Sequence, residues 1–500
     1  MRNILRKLYL LIPVFVMLGA CDEPEQEVFS QIPSDVVVNS DDPTVLAVLR
    51  QGAYNSLIGN WGGHNSLWSL QEISSDEMVI TQKGADWEDG GQWIRVHQHE
   101  YQPTEQSVGN GWSYCFGSIA NVNLLLLQFG ELEALRAELE VLRALNYLWL
   151  IDAYGNVPII REDDTDPTPA TNTRQEVYNF IESSILDNLD KLPREASYAS
   201  INYYVAQTIL AKLYLNAEVY TGTAQWQKAA DAATEVIDGG TYSLASNFFS
   251  NFSTNNRGSS ENIFVIPYDE NTGGGFNLAQ MTLHYSSQAT FNLQEQPWNG
   301  YSSLEEFYNS FENNDARKLG FLEGPQFASD GSRLEDLSAE DSDPDGAPLT
   351  FTPFISELRP NALRQEGVRV GKFEFQSGAG QSLSNDFPIF RLADVMLMKA
   401  EALWRINAGS TEALSLVNQI RDRSGADALA SLTADNLLAE RGRELFAEGW
   451  RRSDLIRFGR FNDTWWEKPA SDVTKNLFPI PQGQRDSNPD LLQNPGYTEG

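Results

Sequence analysis

The chain of 500 residues carries 69 acidic against 36 basic residues, a formal charge of −33, with 41% hydrophobic residues and two cysteines. Charge of that sign and size repels nucleic acid and anionic membrane surfaces and weighs against a polyanionic ligand, although a local basic patch overrides the average. The length leaves room for two or three domains or one large helical one, and 37 Gly with 22 Pro point to long loops between elements.

At the N-terminus, Arg2, Arg6 and Lys7 precede an apolar run from Leu8 to Leu18. The run is shorter than the roughly 20 residues a membrane span needs. Gly19 and Ala20 then stand before Cys21. Residues 1–20 read as an export signal ending in a lipobox-like site, rather than as a plain cleavage site with a chance cysteine behind it. Cys21 would then carry acyl chains and anchor the protein to a membrane without spanning it. Only Cys115 remains, so no internal disulfide is expected, and its apolar surroundings suit a buried small hydrophobe. Residues 21–40 are acidic and aperiodic, a tether, and the fold is expected over residues 41–500.

A helical pattern starts at Asp42-Pro43 and runs through VLAVLRQGAYNSL. From Gly59 to Gln106 the residues Gly, Trp, Asp, Gln and His dominate and periodicity fades after Met78, which predicts a long loop region. Helical periodicity returns from Trp112 to about Tyr154, dips near Gly130, and stops at Gly155 and Pro158. A further helix is predicted over residues 174–192.

AQTILAKLYLNAE, starting at Ala206, and ADVMLMKAEALWR, starting at Ala393, place Leu210 and Lys212 opposite Leu397 and Lys399. Each is followed by a second alanine-bearing helix, WQKAADAATEVIDGG and TEALSLVNQIRDRSG. A helix–turn–helix unit of about 34 residues with small residues at fixed steps resembles a tetratricopeptide repeat. Residues 132–152 with 174–192, and 433–449, are candidates for further pairs or halves. Between the repeats, residues 243–389 form a large irregular insertion in which NIFVIPY and GKFEFQ read as short strands.

Several motifs together, in order and spacing, identify a resemblance. YGNVPII, AKLYLNAEVYTGTAQWQKAADAATEVIDGGTYSL, ENIF, DFPIFRLADVMLMKAEAL, ERGRELFAEGWRRSDLIRFGRF and FPIPQ…NPDLLQNPGY resemble the SusD/RagB family across almost the whole chain after residue 20. The resemblance implies a mostly α-helical scaffold of tetratricopeptide-like pairs and a surface lipoprotein of Bacteroidetes. Such a protein caps a TonB-dependent, SusC-like outer-membrane transporter and binds a nutrient, most often a poly- or oligosaccharide, without catalysis. The DEPEQE run after Cys21 resembles the acidic signal that sends such lipoproteins to the cell exterior.

A sugar ring has an apolar face and a rim of hydroxyls, so its binder needs exposed flat aromatics flanked by hydrogen-bonding groups. Of 12 tryptophans, Trp149, Trp404 and Trp450 follow helical periods, and Trp68, Trp112 and Trp226 adjoin apolar helical residues, so all read as structural. Trp61 in GNWGGHN, Trp87 and Trp93 in KGADWEDGGQW, and Trp298 in EQPWNGY stand among Gly, Asn, Asp and Gln. Such aromatics are loop-packing anchors or binding platforms. The expected glycan site is Trp87 and Trp298 first, then Trp61, Trp93 and Tyr301, with Asn60, Asp86, Asp89 and Asn299 as hydroxyl partners. The resemblance agrees, since the family draws ligand-site aromatics from an early loop and the middle insertion.

Other constellations have structural readings. Glu440, Glu444 and Glu448 interleave with Arg441, Arg443, Arg451 and Arg452 as helix-stabilising or buried ion pairs. His97 and His99 would present two metal ligands on one strand face, too few for a site. Asp341, Asp343, Asp345 and Gly346 match half of a calcium loop, but Thr352 stands where a bidentate Glu belongs, so a solvated acidic turn is expected and no cofactor. An exported glycoside hydrolase and a protein-only lid or adhesin remain the alternatives. The balance of charge favours a neutral glycan such as a β-glucan over an acidic one.

Overall fold

The computed structural model describes residues 43–271, 275–336 and 348–498. Cys21, the acidic tether and the Asp341–Asp345 run lie outside the described residues. The architecture is mostly α-helical, with short two-stranded ribbons in and around the insertion.

The first helix spans Pro43–Asn55, with Pro where the first turn tolerates a missing N–H. The long periodic stretch is two helices, Gln106–Phe129 and Glu133–Ala153, packed on each other. The second ends as Gly155, at φ 74°, donates back to the Leu150 carbonyl at 3.2 Å. It also packs on the helix Arg174–Leu186, whose start is fixed by a capping box between Thr173 and Glu176.

Helices Tyr203–Leu215 and Trp226–Asp238 form one hairpin, and Leu392–Ile406 and Thr411–Arg423 the other. The chain folds so that Trp226–Asp238 also lies against Leu392–Ile406. Buried Ala229, Ala230, Ala232 and Ala233 let that helix approach both neighbours closely. The two hairpins are pinned by Lys212, whose Nζ reaches Asp394 at 2.6 Å and sits 4.1 Å from the Trp450 ring.

Around the helix Ala434–Leu445 the interleaved acids and arginines form a buried network. Glu440 pairs with Arg317 at 2.8 Å, Arg421 at 2.7 Å and Arg443 at 2.8 Å. Glu444 pairs with Arg317, Arg391 and Arg423, and Glu448 with Lys372 and Arg391. Burial alone would raise these carboxyl pKa values, but the surrounding guanidiniums win, holding Glu440 down at about 2 and Glu444 well below the carboxylate range. Arg317 and Lys372 come from the insertion, so the network ties it to the scaffold.

Two sequence expectations are corrected. Residues 59–106 are not one long loop: they hold helices Ile58–Trp61, Leu67–Ile73 and Gln92–His97 and the strand Met78–Ile80. GKFEFQ is not a strand; the pairing stops just before it, with Arg369–Val370 against Phe321–Leu322 and a single bridge from Val368 to Ser303. Lys372 is instead drawn inward, donating to the carbonyls of Glu444 and Phe446, while Phe373 stacks on Phe387. NIFVIPY does contribute a strand, Asn262–Ile266, antiparallel to Phe387–Arg391. The pairing that positions the site joins Met78–Ile80 to Tyr301–Ser303, with Ile80 opposite Tyr301.

Candidate functional site

The segment Gly84–Gly91 leaves the strand Met78–Ile80 and folds back before the helix Gln92–His97. Five of its residues have positive φ: Gly84, Trp87, Asp89, Gly90 and Gly91. For the bulky Trp87, φ 58° is a strained conformation that surrounding contacts must enforce. The Trp87 indole N–H donates to the Trp298 carbonyl at 2.6 Å. The ring lies so close over Gly300 that a Cβ there would stand 2.2 Å from Trp87 Cζ2, so only glycine admits it. The Trp298–Gly300 backbone is itself held, since its three N–H groups donate to the carbonyls of Gln280, Leu283 and Met281.

His64 is the hub of the cluster. Its ring centroid lies 5.1 Å from Trp87, 5.5 Å from Trp93, 5.7 Å from Trp298 and 6.3 Å from Tyr301. His64 and Tyr301, 237 positions apart, meet with Nδ1 3.3 Å from the phenol oxygen, which also contacts Ser69 Oγ at 2.8 Å. His64 Nε2 makes no hydrogen bond among the described residues. Burial lowers the His64 pKa against the pull of Asp89, so the ring is neutral at physiological pH.

The structure brings together Trp87, Trp93, Trp298 and Tyr301 but gives them unequal exposure. Trp87 and Trp298 are half-buried and present surface to solvent, as does His64. Trp93 and Tyr301 are buried beneath them, the indole of Trp93 donating to Asp89 at 2.8 Å. Asp86 and Asp89 are exposed on the rim, Asp86 accepting from the Tyr285 hydroxyl. Each carboxylate retains lone pairs for further donors.

Five expected contact residues are corrected: Trp93 and Tyr301, 1% and 0% exposed, lie behind the platform rather than on its face, and three more are enclosed elsewhere. Trp61 is 1% exposed and packs among Trp149, Phe387 and Trp450, with centroids 5.1, 6.0 and 6.1 Å away. Asn60 is fully buried, its amide donating to Cys115 Sγ at 3.4 Å. Asn299 is a buried strut, donating to the Arg364 carbonyl and accepting from Arg369. Nor do His97 and His99 share a strand face. His97 ends a helix with Nε2 2.9 Å from the Trp466 carbonyl, and His99 stacks on Phe461 and contacts Ser74 and Ser471. Among the described residues no group of three or more acidic, His or Cys side chains is placed to hold a metal. His64 and Tyr285 were missed by sequence reasoning; only the glycine-rich setting of His64 beside Trp61 hinted at a loop residue of consequence.

Comparison with known proteins fits this arrangement to a family. The model of the SusD family matches residues 362–497, and one described as starch-binding associating with outer membrane matches residues 28–215. The chain is similar to the starch-binding protein SusD of Bacteroides thetaiotaomicron, 27% identical over 88% of this chain and 86% of that one. It is also similar to SusD-like protein P2 of Formosa agariphila, 25% identical over 98% and 99%. Among solved structures, a laminarin-binding SusD-like protein superposes with TM-score 0.71 at 24% identity, over 91% of this chain and 99% of that chain. Surface glycan-binding protein A from Bacteroides thetaiotaomicron, in complex with laminarihexaose, gives TM-score 0.71 at 20% identity, over 90% and 99%. The chain belongs to the SusD/RagB family.

Proposed function

We propose that the protein captures a neutral glycan, without cleaving it, on the face formed by His64, Trp87 and Trp298, and delivers it to a TonB-dependent transporter of the SusC type. The observation that carries this reading is the convergence of two half-exposed indoles from distant segments, one in a strained backbone conformation, around a histidine held neutral. Such faces match the C–H side of a sugar ring, while Asp86, Asp89 and His64 Nε2 are at hand for its hydroxyls. Buried Trp93 and Tyr301 stiffen the platform, which lowers the ordering cost of binding. Acids on the rim favour an uncharged chain over a polyanionic one. The relatives named for starch and laminarin support a glycan, and the laminarin names favour a β-glucan. The lipobox-like Cys21 and the family description support lipid anchoring at the outer membrane, facing the cell exterior.

Electrophoresis through gels containing laminarin, starch or other neutral polysaccharides tests the reading. Retardation in at least one gel is expected, and its loss in a Trp87→Ala, Trp298→Ala double variant. Retardation in none would point to a protein-only lid. Shortening of a bound oligosaccharide would point to a hydrolase.

A further inference from the structure

Away from the aromatic platform, a cavity of about 820 Å³ opens beside the first helix, within the size range of small-molecule sites. Its lining includes Arg50, Gln51, Tyr114, Tyr198, Arg257 and Asp269. A side pocket of about 220 Å³ shares Tyr198 and Arg257 with it. In a chain with nearly two acids per base, two arginines with unspent donors line one cavity. Arg50 engages Glu138 through Nε alone, at 2.6 Å, and its Nη atoms make no hydrogen bond among the described residues. Arg257 donates no hydrogen bond there; its contacts are an ion pair with Asp386 at 3.6 Å and the Tyr198 ring at 6.0 Å. The one carboxylate of the lining among the described residues, Asp269, accepts from the backbone and side-chain N–H of Asn271.

The cavity also offers ring surface. Tyr114 is 39% and Tyr198 46% exposed. Tyr114 packs closely against Gly59, where a Cβ would stand 2.8 Å from its ring, so the residue is held rather than dangling. Tyr198 is followed by Ala199 at φ 50°, a strained non-glycine conformation of the kind that clusters at ligand sites.

We propose that this cavity is a second ligand site, taking an anionic sugar unit: tyrosine faces pack against the ring, and the open guanidiniums of Arg257 and Arg50 take its carboxylate or sulfate. Guanidinium forks match both oxyanions. That the ligand is a sugar rather than another anion rests on the glycan-binding reading, but the site and residues are separate from the platform.

Calorimetric titration of the full-length protein with trigalacturonate and with a sulfated carrageenan oligosaccharide tests it, with sodium acetate, sodium sulfate and laminarihexaose as comparisons. At least one anionic oligosaccharide is expected to bind, and the two tell carboxylate from sulfate. Arg257→Ala should weaken it by about tenfold or more, as loss of a charged hydrogen bond does, and Arg257→Lys by less. Tyr198→Ala should also weaken it, whereas Trp87→Ala should leave it within about twofold, as expected for a distant, independent site. Arg257→Ala should leave retardation by neutral polysaccharide unchanged. Arg257 is exposed, and an unchanged thermal midpoint confirms the fold. Absence of binding by both anionic oligosaccharides, equal binding to Arg257→Ala, or equally tight binding of bare acetate or sulfate would overturn the proposal. Loss of neutral-glycan retardation alone would instead overturn the platform.

Discussion

At the scale of single residues, tryptophans with similar local sequence play opposite parts. Trp61 and Trp87 both sit among glycines and polar residues, and the local difference is slight: Leu57 and Ile58 stand four and three residues before Trp61, where Trp87 has Lys83 and Gly84. The difference lies in remote partners: Trp149, Phe387 and Trp450 enclose Trp61, whereas Gly300 and the Trp298 carbonyl support one side of Trp87 and leave surface free. Long-range enclosure of this kind leaves no periodic trace, so the sequence grouped these indoles without sorting core from surface. Substitution separates them. Trp61→Ala is expected to cost on the order of 3–5 kcal/mol in urea unfolding while the folded protein keeps its glycan affinity. Gly300→Ala should behave in the reverse sense. Its new methyl must displace the Trp87 ring, so retardation by the neutral glycan should fall as far as in Trp87→Ala, with roughly 1–3 kcal/mol of overpacking cost. Normal retardation of Gly300→Ala would show that the position of the Trp87 ring is irrelevant to binding.

At the scale of elements, some helices were legible from one packed stripe, as in WQKAADAATEVID, where alanines recur on the packed side, and others, such as Tyr203–Leu215, are buried all round and were legible from length and apolar content. The insertion and residues 59–106 were less so, because their strands are two to five residues long, too short to show alternation, and Met78–Ile80, Tyr301–Ser303 and Arg369–Val370 are buried on both faces. GKFEFQ alternates well, yet Lys372 points inward, because the carbonyls at the end of the helix Ala434–Leu445 and Glu448 receive its ammonium. That helix gives an element-level prediction. Glu440 has an ordinary carboxyl pKa when unfolded and one of about 2 when folded. Its depressed value stabilises the fold above the unfolded pKa, and that contribution is lost as pH falls through the folded value. Between pH of about 4.5 and about 2 this single group should remove on the order of 3 kcal/mol. Glu440→Gln should unfold with a shallower dependence on pH in that window. At neutral pH it should be less stable by about 3–5 kcal/mol, since buried Arg317 and Arg443 lose a partner. Urea midpoints taken across pH 2 to 7 check both, and an unchanged slope for the variant would place the acid transition elsewhere.

At the scale of the whole molecule, charge and recognition are separated. The formal charge of −33 and the acids Asp86, Glu88 and Asp89 make the neighbourhood of the platform negative, yet stacking on Trp87 and Trp298 needs no charge on the ligand. His64 does not alter this, since burial holds it neutral and a fall in pH must reach its lowered pKa before a cation appears there. A neutral glycan therefore has no net charge for the field to act on. Its dissociation constant should change by less than about twofold between roughly 10 mM and 1 M salt, although the Debye length shrinks from about 30 Å to about 3 Å. Between pH 7 and 8 it should be equally flat, because His64 stays neutral throughout. In an Arg50→Ala, Arg257→Ala variant, which lacks the second site, a polyanionic chain long enough to lie across the platform faces the full field, so its retardation should be weakest at low salt and grow as the repulsion is screened. Affinity electrophoresis of that variant in neutral and acidic polysaccharide gels at several salt concentrations measures both. If binding of the neutral glycan fell tenfold or more with added salt, attraction between fixed charges rather than ring stacking would be holding it, and the aromatic face could not be the main contact.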